Sequence, residues 1–426
     1  MEQVTSPTPA ATQPTPSPEL PPPYPTPEPT PPPAIRYIPH EPEYIPLIFR
    51  WEEGNTFLVE HFLCDFDYLM HTLQLGFPLF DIAYRRHGLD IDVIEAATRQ
   101  AIVNENPTTP WAFSQILAQH FFRPFGGFGH LYQHWEARLH LVLANIYRDS
   151  INENGFFLHA YSQAIYEVMR APAAVRFYGH ITVDIGQYET GMITPNNLRT
   201  EILADGKIAY VNVQRFNHYN IDHDLEVMTR FYDEIAGFEH LIIDLRQNPG
   251  GFTDYFFQIF VEPNLTTSLE WSVHEFFTAS RNNRIYADAL IADMLAYNPN
   301  SLTHHYGVMD KIEWHMKIDP LSYERVFNGK LWVLIGPDSQ SGVESVAIFL
   351  RETGFATLVG QPTAGIMGAI SAYKLLPNSG ILVRYDLGLM TDSYGQSFEE
   401  FGVVPHYYTS GCALEAVLEL IQSPIH

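Results

Sequence analysis

The chain has 426 residues, 46% of them apolar and 14% aromatic, with 49 Asp and Glu against 24 Lys and Arg for a formal charge of −25. That length asks for more than one ordinary core, and the apolar share excludes overall disorder. The acidic surface repels phosphate backbones and anionic lipid, so nucleic acid and membrane surfaces are not expected as partners.

Residues 1–36 are rich in proline, as in PTPSPELPPPYPTPEPTPPP. Proline supplies no backbone donor, so this stretch is expected to be a disordered linker with polyproline II character. Such spacers hold an enzyme away from a wall or an anchor, which points to an extracellular or cell-surface protein. Met1 to Pro9 lack the basic start and apolar run of a signal peptide. Either the protein is cytoplasmic or an export signal has been removed, and the proline-rich spacer favours the second. No apolar stretch reaches the ~18 residues of a membrane-spanning helix.

Residues 37–172 read as an N-terminal helical cap domain. FLVEHFLCDFDYLMHTLQLGF spaces its apolar residues by three and four, and IDVIEAATRQAIVNE and PWAFSQILAQHFF repeat the pattern. HWEARLHLVLANIYRD and HAYSQAIYEVMR are further helices. The run RPFGGFGHL interrupts them and carries His130. Cys64 lies here and Cys412 near the chain end. Two cysteines cannot form a disulfide framework or a four-thiolate zinc site, and both are expected as buried free thiols.

Residues 173–426 change texture. KIAYVNV, HLIIDL and KLWVLIG are short β-branched runs that read as buried strands, each followed by a turn and a helical pattern. This predicts a layered α/β core.

Three turns in it carry chemistry. The strand ending in Asp244 passes through Asn248, Pro249, Gly250 and Gly251, whose N–H groups can face a ligand closely, as an oxyanion hole requires. A second strand runs through a polar turn into a helix at Ser341, with Glu344 three residues on. This spacing makes a capping box, and it also sets a hydroxyl beside free N–H groups such as that of Gly342. Ser339 and Ser345 are competing hydroxyls. A third turn, GQPTAGIMG, spans residues 360–368.

In this order the three turns resemble the signature of the C-terminal-processing (S41) peptidase family. The closing segment FEEFGVVPHYY adds a Glu-x-x-Gly-Val-x-Pro match. The resemblance covers about residues 200–420. It implies a crotonase/ClpP-like ββα-spiral core and a serine peptidase acting on peptides or proteins without cofactor or metal. One branch of the family uses a lysine in a Thr-x-Gly-Lys context. Here that place holds Ile366, and the only later lysine is Lys374. The resemblance therefore implies the tricorn-like branch, with a Ser-His-Glu triad and a helical cap like that of bacterial members.

On that resemblance Ser341 is the nucleophile and His130, in Gly126-Gly127-Phe128-Gly129-His130, is the base, with His180 as alternate. Glu399 is the orienting acid, with Glu400 as alternate. Gly342 and either Gly250 or Gly251 form the oxyanion hole. Three rivals remain in view. His130 and His134 have zinc-binding spacing if helical, although Leu131 stands where a base glutamate would be needed. The same fold can also serve as a catalytically weak module binding peptides or apolar ligands. A crotonase-like acyl-CoA enzyme would leave Ser341 and Glu399 without a role. Nothing in the sequence defines the oligomeric state.

Overall fold

The computed structural model describes residues 56–134, 159–179, 193–278, 280–297, 302–305, 309–322, 324–367, 371–392 and 395–422. The proline-rich stretch, most of the expected helix over 134–149, and His180 lie outside them.

The helical part follows its sequence pattern. Helix α1 (Val59–Gly76) buries Phe62, Phe66, Leu69 and Leu73 along one face. Helix α2 (Phe80–His87) stops at Gly88 in the left-handed conformation. Helix α3 (Ile91–Glu105) starts where the Asp90 carboxylate accepts the N–H groups of Asp92 and Val93. Helix α4 (Pro110–Ile116) has Thr109 as cap and proline in its first turn, then continues as a π-helical turn over Leu117–Phe122. The glycine-rich turn leads through His130 into the two-residue strand β1 (Tyr132–Gln133). Helices α5 (His159–Met169) and α6 (Pro172–Tyr178) follow.

Beyond residue 193 the chain forms β2 (Leu198–Ala204), β3 (Ile208–Val213), α7 (Ile221–Glu234), β4 (His240–Asp244), β5 (Leu269–Thr278), α8 (Arg281–Tyr297), β6 (Leu302–His305), β7 (Met309–Ile318) and β8 (Lys330–Ile335). It ends with α9 (Gly342–Thr353), β9 (Thr357–Gly360), β10 (Ser371–Leu375), β11 (Leu382–Asp386), β12 (Gly388–Thr391), α10 (Phe398–Phe401), β13 (Tyr407–Tyr408) and α11 (Ala413–Gln422).

Among the described residues three sheets result. The largest has order β13-β9-β8-β4-β3-β2 and is parallel except at β2. Its strands are apolar throughout because both faces are covered. Leu241, Ile243, Val333 and Ile335 join the main core, while Ile242, Trp332, Leu334 and Val359 pack under Val417 of α11. An antiparallel sheet, β12-β5-β7-β6, and a small one, β1-β11-β10, complete the α/β fold. The main hydrophobic cluster runs from Phe62 of α1 to Val403, so helices and sheets share it.

One expectation is corrected. Neither cysteine is buried: Cys64 is half-buried and Cys412 exposed. Cys412 sits just before α11, its sulfur 3.6 Å from the Arg246 guanidinium. N–H groups of α11 and the guanidinium both favour the thiolate and hold the thiol below its usual range.

Candidate active site

Ser341 joins β8 to α9 in a backbone conformation that L-residues rarely adopt, φ 52° and ψ −116°. Such a conformation costs about 1–3 kcal/mol and persists only where its surroundings impose it. Here they do: the Ser341 N–H donates to the Ile366 carbonyl at 2.9 Å, and its carbonyl accepts the N–H of Glu344 at 2.8 Å. The chain turns sharply from strand to helix at this residue, as at a nucleophile elbow. The expected capping box does not form: the Ser341 side chain makes no cap hydrogen bond with the first turn of α9. Ser339 is buried and donates to the Leu245 carbonyl at 2.8 Å, which marks it as structural.

The glycine turn after β4 presses directly on this elbow. A Cβ on Gly250 would lie 2.4 Å from the Gln340 carbonyl oxygen and 2.9 Å from Ser341 Cβ; one on Gly342 would lie 2.3 Å from the Gly251 oxygen. Only glycine allows this approach. Asn248 organises the turn: its amide donates to the Val213 carbonyl at 3.1 Å and its side-chain oxygen accepts the Gly250 N–H at 2.8 Å. Its own carbonyl takes the Gln340 N–H at 3.2 Å. The Gly250 N–H is thus occupied. Upstream, Asp244 is held by Arg246 (2.6 Å) and by the Tyr210 hydroxyl (2.7 Å). An open cavity of ≈ 440 Å³ lies beside this pair, lined by Tyr210, Asp244, Arg246 and Asp338, and its lining includes neither Ser341 nor His130.

His130 follows a turn with left-handed residues at Gly126, Gly127 and Gly129 and is itself left-handed at φ 45°. Its Nδ1 lies 2.9 Å from Asp386 Oδ2. The pair continues a ladder: β1 pairs with β11 antiparallel, with Tyr132 opposite Arg384, so two residues further out position 130 faces position 386. Asp386 is 1% exposed, and its other oxygen accepts the Ser371 hydroxyl at 2.9 Å. A carboxylate only accepts, so Nδ1 carries the proton and Nε2 is the basic nitrogen. Asp386 was not singled out in the sequence; the signal is an acid ending the apolar strand LVRYD.

The sequence-predicted acids lie behind this pair. Glu399, 1% exposed, accepts the Met390 N–H at 2.8 Å and the Ser397 hydroxyl at 3.1 Å. Burial pushes it up to about 8, opposed by those hydrogen bonds and reinforced by Asp386. Glu400 makes a two-pronged pair with Arg85, both contacts at 2.8 Å. Glu344 is fully buried; one oxygen accepts the Ile366 N–H at 3.0 Å, and among the described residues the other has no hydrogen-bond partner. Burial, with Glu399 adding repulsion, pushes it up to about 8 as well. Among the described residues no hydrogen bond joins Ser341, His130 and Glu399 to one another.

His130 and His134 do not share a helix: a left-handed turn and β1 separate them, so the one-turn spacing of a helical metal pair is not realised. Among the described residues no group of three or more His, Cys, Asp or Glu is arranged to hold a metal ion.

A family profile described as Peptidase family S41 matches residues 207–409. In structure the chain is similar to mature CPAF, with TM-score 0.50, 15% identity, and 85% of this chain and 96% of that one covered. It is also similar to a putative peptidase from Parabacteroides merdae, with TM-score 0.48, 16% identity, and 84% and 96% covered. The Asp244 strand, the Gly250-Gly251 turn, the Ser341 elbow and the Glu399 segment all fall inside the matched span, so residues 207–409 carry the peptidase family S41 core of a serine peptidase.

Proposed function

We propose that the chain is an endopeptidase of the Ser-His-acid type, cleaving peptides or proteins through an acyl-enzyme formed on Ser341. What carries the reading is the strained elbow of Ser341 pressed against Gly250 and Gly251 at the start of α9. In this reading His130 Nε2 takes the Ser341 proton as Oγ attacks the scissile carbonyl. The N–H groups of Gly342 and Gly251 stabilise the oxyanion, since that of Gly250 is held by Asn248. His130 then gives its proton to the leaving amine, and water, deprotonated by the same imidazole, releases the acyl group. The serine–histidine hydrogen bond closes when substrate enters; catalytic hydrogen bonds are often long without it.

Asp386 is the acid in contact with His130, and we assign it the orienting role. Glu399 then serves the site from behind, through the Met390 N–H and its proximity to Asp386.

A fluorophosphonate probe tests the reading. Labelling at Ser341, lost in Ser341→Ala and slowed in His130→Ala, is the expected result. A folded protein that neither labels nor cleaves any member of a peptide library would overturn it.

A further inference from the structure

We propose that Arg86, from the helical part, is a positioning residue for the nucleophile: it reaches through the gap beside Gly365 and holds the loop on which the Ser341 elbow hangs. The inference rests on the reading of Ser341 as nucleophile.

The contacts form an unbroken chain. Arg86 lies in the last turn of α2, half-buried, and its Nη1 donates to the Glu399 carbonyl at 2.6 Å. A Cβ on Gly365 would lie 1.8 Å from that Nη1 and 2.8 Å from the same carbonyl oxygen. The guanidinium therefore occupies the space that a side chain at 365 would need. The next residue, Ile366, faces the elbow twice. Its carbonyl takes the Ser341 N–H at 2.9 Å, and its N–H goes to Glu344 at 3.0 Å, in the first turn of α9.

Charge tells the same story. Glu344 and Glu399 are both buried and repel each other when ionised, and among the described residues the second oxygen of Glu344 has no hydrogen-bond partner. The cation opposing this repulsion is Arg86, which interacts with Glu344, Glu399 and Glu400. Even beside Arg86, burial raises Glu344 to about 8, so the carboxylate is mainly ionised only above that pH, and there loss of the guanidinium drives its protonation or rearrangement of its loop. The Ile366 hydrogen bond to Glu344 is stronger while the acceptor is ionised. Loosening it frees the carbonyl that imposes the Ser341 conformation. Arg85 beside it is exposed, and its hydrogen bonds among the described residues go to Glu400, so it docks the same helix without a hydrogen bond to this loop.

The test is steady-state kinetics on a peptide substrate at about pH 9, where Glu344 is ionised, with active sites counted by fluorophosphonate titration. Arg86→Gln should lower kcat by about tenfold or more while KM stays within about twofold, since misplacing a reacting group slows chemistry rather than binding. Arg86→Lys should recover most of that loss, and Arg85→Gln should match wild type. In a Glu344→Gln background, where no charge needs offsetting, the Arg86→Gln penalty should shrink to about threefold or less. The inference is overturned if Arg86→Gln matches wild type, if its loss lies in KM, if Arg85→Gln loses as much, or if the penalty is equal in both backgrounds. Should Arg86→Gln fail to fold, the double variant Arg86→Gln/Glu344→Gln is expected to fold, and its failure overturns the pairing. A wild-type protein that never labels at Ser341 defeats the nucleophile reading instead, which keeps the two failures distinct.

Discussion

His130 and Asp386 meet at 2.9 Å across 256 positions of chain, because β1 and β11 pair in the one register that sets them opposite each other. The contact fixes the imidazole ring and leaves Nε2 as its basic nitrogen.

Asp386→Asn should therefore be costly. An amide can donate to Nδ1 and stabilise the wrong tautomer, and the comparable change in a serine-peptidase triad lowers kcat by about 10⁴. A loss of about 10²–10⁴ in kcat at neutral pH is expected, with Glu399→Gln losing less. If Glu399→Gln is the more damaging of the two, Glu399 is the orienting acid.

Ser341 should be strained in a way separable from its chemistry. Ser341→Ala removes the hydroxyl and keeps the Cβ at φ 52°, so the strain stays; Ser341→Gly removes both. Both variants should be inactive. Despite the greater chain entropy of glycine, Ser341→Gly should unfold at higher urea than Ser341→Ala, by about 1 kcal/mol. Equal urea midpoints would mean that the elbow is relaxed.

The glycine contacts make a spatial prediction. Gly342→Ala, with its Cβ 2.3 Å from the Gly251 oxygen, must push the turn and the elbow apart. Displacing one oxyanion donor costs about 10²–10³ in kcat. Gly237→Ala, where the added atom meets open space, should leave kcat unchanged and serves as the control. Wild-type turnover in Gly342→Ala would remove Gly342 from the oxyanion hole.

Stability should fall as pH rises. Asp65, almost fully buried, accepts the N–H groups of Asn378 (2.8 Å) and Ser379 (2.7 Å), and burial pushes it up to about 6. Glu344 and Glu399 are pushed up to about 8. All three bind protons more tightly folded than unfolded. Their contribution is fully present below about pH 4 and is lost as pH rises through about 6 and then about 8. Urea midpoints measured from pH 5 to 9 should decline, and Glu344→Gln should flatten the upper part of that decline. A midpoint that climbs over this interval would contradict the assignment.

Much of the catalytic core was readable from local pattern. β3, β4 and β8 announce themselves as continuous apolar runs because a sheet covered on both faces leaves no polar side. The β5–β7 sheet was not foreseen. Its strands mix buried Val273 and Phe277 with half-exposed His274 and Phe276, and residues near Glu275 carry no turn signal that marks a boundary. Glu275 itself is buried, held by the Trp314 indole at 3.0 Å, a pairing visible only once β5 and β7 are in register.

The order of residues along the chain determined the Ser341 turn, its neighbouring glycines and their match to the S41 family, since turn chemistry and helix starts are short-range and leave a local signature. Which acid meets His130, and that Arg86 of α2 reaches the loop behind Ser341, only the tertiary structure decided. Those contacts join residues more than 200 positions apart, and their geometry follows from strand register and shared burial, neither of which is written in any one segment.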